Sequence, residues 1–512
     1  MNFDEIHEDE RKLRKIKDHV RKIEYLRSTG NNLLYWDKVT NMPAKGIEYR
    51  AEVMSFFAGE IHRLSEDREL IELVDYFSKK NPEELDMRTN AMIRKIRKNH
   101  DYISSIPVEE YKEYINLIAR AEEIWSSKEN RNSFDKIKPY LEKIILHMRN
   151  FSEYWGYEDE PYDALLAYYD TGVTVKQADE MFAELKGFII NMLYSIGKSE
   201  LKIDNNLFNG FFSKEKQREM SSDILEKLGF DFDAGRLDEG IHPTILVNSS
   251  SDVRIITSYR EDDFRPALTT ALHEGGQGLY EQGIDSELRG MLLAEPSSLV
   301  ILEAVARFYE NILGRSREFW EFYYPRLQSL FPSLEGTSAE DFYRAVNAVE
   351  PSFVRMDADE LTYNLHIIIR YEIEKDLING NLRVEDLPEA WNSKYMDYLG
   401  ICPPDDRLGV LQDVHWFSGY FGYFPSYAVG NMHAAQIHRT LQRELDNYED
   451  AVREGRWHDI KNWLEENVFR HGSVYDAQEL IYLVTDENLK SRYYIDYLRE
   501  KYSDIYKIQT DI

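Results

Sequence analysis

Between Asp4 and Gly30 apolar side chains recur at three- and four-residue steps, at Leu13, Ile16, Val20, Ile23 and Leu26, in an otherwise charged stretch. That spacing puts the apolar residues on one face of a helix and the charges on the other. The same period predicts helices over 48–73, 87–100, 108–125, 134–157, 175–195 and 214–228, with Ser213 as a cap for the last. Pro43 marks a helix boundary, and Pro161 opens a further element at a first-turn position. The period then changes. His242-Pro243-Thr244-Ile245-Leu246-Val247 is short and β-branched, Asn248 to Ser251 is turn-like, and Asp252 to Tyr259 alternates, which predicts a hairpin over 241–259. Helical period returns over 269–282, 292–314, 317–330, 339–349, 357–378, 430–447, 459–468 and 476–502. Loops are expected at 400–404 and in the glycine- and aromatic-rich 409–427. There is no internal repeat, low-complexity stretch or interdomain linker. The fold expected is mostly α, one domain over 1–512, with a small β element beside the 269–282 helix.

Composition narrows the function. The 512 residues include 43% hydrophobic side chains, with 35 Tyr and 24 Phe, enough for a large core. A formal net charge of −30 repels phosphate backbones and anionic lipid, so neither nucleic acid nor membrane is an expected partner. The basic run Arg94 to Lys98 is expected to be a solvated helix face. Cys402 is the one cysteine, which suits a reducing compartment. With no apolar leader at the N-terminus and no membrane-length apolar run, a cytoplasmic location is expected.

The chemistry concentrates in His273-Glu274-Gly275-Gly276-Gln277. In HExxH two histidines one helical turn apart reach one metal, and the glutamate between them works on a metal-bound water. Here Gln277 stands where the second histidine would be. Glu303, on a predicted helix over 298–311, is the candidate third ligand. Read alone it is one of 93 acidic residues, and that reading prevails. An amide oxygen is a weak zinc ligand beside imidazole. Gly275, Gly276 and Gly278 each cost a helix about 1 kcal/mol relative to alanine, so a kinked or frayed helix is expected there. His242, His366 and His415 are the candidates to replace the missing ligand.

Several long stretches carry a resemblance. Tyr35-Trp36-Asp37 with Met42-Pro43, Pro161 to Leu166, Tyr280-Glu281-Gln282-Gly283, Val354 to His366, Gly409 to Trp416 and Phe421 to Pro425 are similar to motifs of the Taq-type (thermostable) metallocarboxypeptidases, nearly end to end. The resemblance implies a zincin-like helical body with a deep groove, a homodimer, one divalent metal (zinc or cobalt), and broad release of C-terminal residues from peptides. It makes His273, Gln277 and Glu303 the metal positions and Glu274 the general base. It makes His415 or Tyr423 the oxyanion partner, and Arg355, Asp413, Arg254 and His242 the substrate-side residues. For Arg355 a structural pair with Asp357 or Asp359 is the competing reading. For His415 it is a core histidine bound to a backbone carbonyl.

The departures cluster. The family's HPF triplet is His242-Pro243-Thr244, its DxRxT stretch ends in Ile256, Ser258 replaces an arginine, and HES is Leu302-Glu303-Ala304. The C-terminal motifs are intact, and those nearest the metal are altered. Three readings follow: a metallocarboxypeptidase with an unusual site, a catalytically inactive relative that binds peptides or serves as a scaffold, and a metal-free hydrolase built on Glu274.

Overall fold

A computed structural model describes residues 3–509 except 128, 130–131, 170–171 and 241; the start of the expected hairpin, Ile241, therefore lies outside the described residues. Helices dominate, and the strands are three, of five, six and six residues. Helix α1 (Phe3–Arg27) leads into a π-helical segment, Ser28–Leu33. Helix α2 is Lys214–Leu228. Strands β1 (Gly235–Glu239), β2 (Thr244–Ser249) and β3 (Asp252–Thr257) form one sheet in the order β1-β3-β2. The hairpin is β2 and β3, antiparallel, and β1 adds a parallel neighbour on the far side of β3. Val253, Ile255 and Ile256 of β3 are fully buried, as a central strand requires.

After the sheet come α3 (Arg265–Gly283), α4 (Leu299–Arg307), α5 (Glu360–Asn379) and α6 (Pro425–Glu444), which carry or flank the candidate site. Helix α3 is continuous, with no break at its glycines. A Cβ on Gly275 would stand 2.6 Å from Leu225 of α2, one on Gly276 2.8 Å from Tyr309, and one on Gly278 2.9 Å from Phe230. The three glycines therefore let neighbouring side chains press onto the helix, and close packing offsets their propensity cost.

Several expected boundaries shift. The helix expected over 48–73 is two, Ile47–Ser65 and Arg68–Ser78, because Asp67 caps the second by accepting from Glu69 N and Leu70 N. The helix expected from 292 begins at Leu299, capped by Ser298, and passes into a π-helical segment, Phe308–Leu313. A helix at Leu387–Leu399 went unforeseen. The basic run is more than a solvated face: Arg94 bonds Glu479 and Val474 O, and Lys95 bonds Ser473 Oγ at 2.6 Å, tying this helix to the C-terminal region. Trp36 packs on the sheet, donating to Asp238 at 2.8 Å and lying under the guanidinium groups of Arg236 and Arg254 at 4.9 and 4.4 Å.

Candidate active site

Helix α3 presents His273 and Gln277 on one face, one turn apart. Helix α4 packs across it and brings Glu303, whose stem lies close against Gly430 of α6, where a Cβ would stand 3.0 Å from Glu303 Cγ. His273 Nε2 lies 3.7 Å from Glu303 Oε2 and 3.4 Å from Gln277 Nε2. The π-helical turn after α4 directs Glu310 to the other ring nitrogen, His273 Nδ1, at 2.8 Å. Arg307 lies between the two glutamates: its Nε donates to Glu303 Oε1 at 2.6 Å and its Nη1 to Glu310 Oε2 at 3.0 Å. Arg315 reaches Glu310 Oε1 at 3.3 Å. Glu303 and Glu310 are only 4% and 5% exposed, so these pairings decide whether their charges can be held at all.

The electrostatics follow. Burial lowers the basicity of His273, but Glu303 and Glu310 outweigh it and raise the ring to about 8. Gln277 turns its amide nitrogen to the ring, and that N–H donates to His273 Nε2 at 3.4 Å when Nε2 carries no proton. Burial also works against Glu310, yet Arg307 and His273 hold its carboxyl well below the usual range. Glu274 projects beside this cluster, and burial together with Glu303 and Glu310 pushes its carboxyl up.

A second cluster lies on the segments flanking α5. Arg355 is 5% exposed; its Nη2 donates to Asp413 Oδ1 at 3.0 Å and its Nη1 to Tyr363 OH at 3.1 Å. Asp413 also accepts from Arg370 Nη2 at 2.6 Å, and the two arginines overcome burial to keep its carboxylate strongly acidic. Arg355 thus pairs with Asp413 rather than with Asp357 or Asp359. The rings of Tyr363 and its neighbours join the clusters, since Arg307 lies 4.5 Å and Arg355 5.9 Å from the Tyr363 centroid. His415 packs tilted against Phe424, ring centroids 4.6 Å apart, and burial holds it down at about 4, a neutral ring. Its Nδ1 has no hydrogen-bond partner among the described residues, so it is not fixed to a backbone carbonyl. Burial raises Tyr423, and Glu303 adds to the effect, which puts this phenol on the Glu303 side of the site.

The other sequence candidates lie elsewhere. Arg254 bonds Asp252 at 2.8 and 3.0 Å and covers Trp36. His242 is exposed ahead of β2. His366 is buried in α5 with its Nδ1 2.9 Å from Tyr395 OH. Residues unforeseen from sequence are Arg307, Glu310, Arg370 and Glu374. The Glu303-Arg307-Glu310 spacing (i, i+4, i+7) was a readable signal for a shared helix face. So was the pair Arg370 and Glu374, opposite charges one turn apart following the apolar run Ile367 to Ile369. Glu374 is fully buried and accepts from Tyr162 OH at 2.5 Å, Trp416 Nε1 at 2.6 Å and Gly422 N at 2.8 Å, which pins the 415–423 loop carrying His415 and Tyr423.

Residues 15–502 match the family described as carboxypeptidase Taq (M32) metallopeptidase. The chain belongs to that family. It is 43% identical to Carboxypeptidase 1 of Bacillus subtilis over 475 residues, covering 93% of this chain and 95% of that one. It is 37% identical to Thermostable carboxypeptidase 1 of Thermus thermophilus over 497 residues, covering 95% and 97%. Among solved structures, the M32 carboxypeptidase from Deinococcus radiodurans R1 superposes with a TM-score of 0.93 at 33% identity, covering 97% of this chain and all of that one. The largely helical body with a small sheet is the fold of this family.

An M32 metallopeptidase implies a divalent ion, and the donors here fit one poorly. A hydrolytic zinc site takes three good protein ligands and leaves one position for water. This cluster offers one imidazole, one neutral amide, and one carboxylate whose Oε1 already accepts from Arg307. Among the described residues no group of three or more His, Cys, Asp or Glu is arranged to hold a metal. None of the candidate replacement histidines approaches the cluster to make up the set.

Proposed function

We propose that this M32 protein has weak or absent zinc-dependent carboxypeptidase activity and keeps the groove as a peptide-binding site. The observation that carries the reading is Arg307 bonded at 2.6 Å to Glu303, the carboxylate that the family resemblance makes a metal ligand. The guanidinium supplies, as a fixed side chain, positive charge that a bound cation would otherwise bring. Gln277 adds no charge and little affinity for zinc. On the peptide side, Arg355 supports recognition of a C-terminal carboxylate, because its planar fork suits bidentate pairing and Asp413 orients it. The homodimer and cytoplasmic location belong to the same proposal, and a monomeric mass by light scattering at micromolar concentration would count against the first.

The test is Gln277→His beside wild type, with metal content and hydrolysis of a blocked dipeptide measured on both. Wild type is expected to carry well under one zinc per chain and to hydrolyse slowly or not at all. If the missing ligand alone limits the site, the variant gains zinc and hydrolysis together. If it gains zinc and stays inactive, the changes at Thr244, Ile256, Ser258 and Leu302 have removed more than a ligand. Stoichiometric zinc and rapid hydrolysis by wild type would defeat the proposal and restore the reading of an active enzyme with an unusual site.

A further inference from the structure

Between α1 and β2 lies a cleft of about 680 Å³, and its lining includes the outer strand residues Ile245 to Ser250 and one carboxyl from α3, Glu281. Strand β2 has a single strand neighbour, β3, and beside it packs the π-helical segment Ser28–Leu33, whose side chains rather than a second strand meet β2. They close the outer edge of β2 at one point. Asn32 Nδ2 donates to Val247 O at 2.5 Å, and beside it Ser28 Oγ donates to Asn248 Oδ1 at 3.3 Å. An extended chain running along β2 from the Thr244 end meets Asn32 and has to end there. A peptide that ends at its N-terminus presents an ammonium group.

Glu281 is the group in this cleft without an assignment. It is 7% exposed, and no hydrogen bond or ion pair compensates its burial among the described residues. Burial of so large a polar group without a partner is unfavourable and calls for a ligand or a proton. The other charged groups lining the cleft are largely engaged. Glu24 accepts from Gly290 N and Leu292 N at 2.7 and 2.9 Å, Arg289 donates to Ser250 and Ser251, and Arg21 pairs with Asp18. Arg27 also lines the cleft. Glu295 is bonded to Lys95, whose ammonium also holds Ser473 Oγ. Glu281 stands seven residues after Glu274, on the same face of α3 two turns on. Two turns are about 10.5 Å of helix, a distance that an extended chain covers in about three residues.

We propose that Glu281 receives the free α-ammonium of a short extended peptide lying along β2, with its last peptide bond beside Glu274. This rests on the reading of the groove as a peptide site and adds the place where the peptide begins. The ligand class is an unblocked peptide of about four residues, by the spacing just given. Burial, reinforced by Glu295 and opposed by Lys95, pushes the Glu281 carboxyl up to about 8, so at neutral pH it is a neutral acid. An ammonium arriving beside it favours the ionised form, and the carboxyl proton leaves to solvent.

The experiment is isothermal titration of wild type and Glu281→Gln with tetra-alanine and N-acetyl-tetra-alanine, each at pH 7 in two buffers of different ionisation heat. Wild type is expected to bind the free peptide about tenfold more tightly than the acetylated one and to release a proton with the free peptide only. Glu281→Gln is expected to bind the acetylated peptide as wild type does and to lose both the preference and the proton release. Equal binding of the two peptides by wild type overturns the proposal while leaving the peptide groove standing. A preference that survives in Glu281→Gln moves the ammonium to another group and overturns it too. If neither peptide binds wild type, the groove reading fails and this site with it. The wild-type comparison alone decides the matter should Glu281→Gln fail to fold.

Discussion

Replacing Arg307 with methionine keeps most of the side-chain stem and deletes the cation at the centre of the cluster. The consequence can be followed group by group. Glu310 retains His273 at 2.8 Å and Arg315 at 3.3 Å, so it stays ionised. Glu303 loses its 2.6 Å partner and keeps only His273 Nε2, at 3.7 Å. Breaking a buried ion pair by removing one partner costs about 3–5 kcal/mol. The upper end is out of reach, because Glu303 can escape by taking a proton. Holding a proton at pH 7 on a carboxyl with an ordinary pKa near 4.3 costs about 1.4 kcal/mol per pH unit, or about 4 kcal/mol. The expected loss for Arg307→Met at pH 7 is therefore about 3–4 kcal/mol. Its sign with pH is fixed. The penalty is that of a buried negative charge left unpaired, so it is largest where carboxylates are ionised and vanishes in acid, where they are protonated in both states. The gap between wild type and variant should shrink to about 1 kcal/mol at pH 5 and close near pH 4. Equilibrium urea unfolding of both proteins across that range measures it. A difference below about 1 kcal/mol at pH 7, or one that does not change between pH 7 and 5, would refute the claim that Arg307 is the charge holding these carboxylates together.

Two further outcomes are expected. His273 is raised from an ordinary 6.5 to about 8, so its contribution is fully present below about pH 6.5 and lost as pH rises through 8. Wild type should lose about 2 kcal/mol between pH 6 and 9, and His273→Asn should flatten that slope in the same urea series. In Glu374→Gln an amide N–H₂ replaces one acceptor oxygen and faces the donors Tyr162, Trp416 or Gly422. The 415–423 loop should loosen at a cost of about 1–3 kcal/mol, read as faster hydrogen exchange in that loop, and unchanged exchange there would assign the loop's order to other contacts.

Much of this architecture was legible because local signals and tertiary packing agree. Leu13, Ile16, Val20 and Ile23 repeat at helical spacing and all but Leu13 are buried to 2% exposure or less. The β2–β3 hairpin is local, so alternation and turn residues sufficed. Strand β1 is not local in that sense. Gly235-Arg236-Leu237-Asp238-Glu239 has no alternation, and it becomes a strand because β3 offers a parallel edge across Gly240 to Ser251. The break at Asp67 was hidden because apolar period continues across it, and only the cap reveals it. The glycines of α3 misled by propensity: a penalty in an isolated helix became the condition for Leu225, Tyr309 and Phe230 to pack against it.

The site itself was half legible, and the reason is chemical. Sequence spacing places side chains on faces, but it does not say which charges neutralise which. His273, Gln277 and Glu303 read as a metal set with one bad member, which makes the loss of one ligand look like damage. The structure adds Arg307 and Glu310 and changes the balance. Arg307 and Arg315 face Glu303 and Glu310, His273 lies between the two carboxylates, and Glu274 is pushed toward its neutral form. A divalent ion entering this cluster adds positive charge to carboxylates already matched. Arg307 holds Glu303 Oε1, while Oε2 faces His273 Nε2 at 3.7 Å. A second histidine at 277 would offer the ion an imidazole, and an amide offers it little. Arg307 and Arg315 thus let the buried Glu303 and Glu310 keep their charges inside the packed helices.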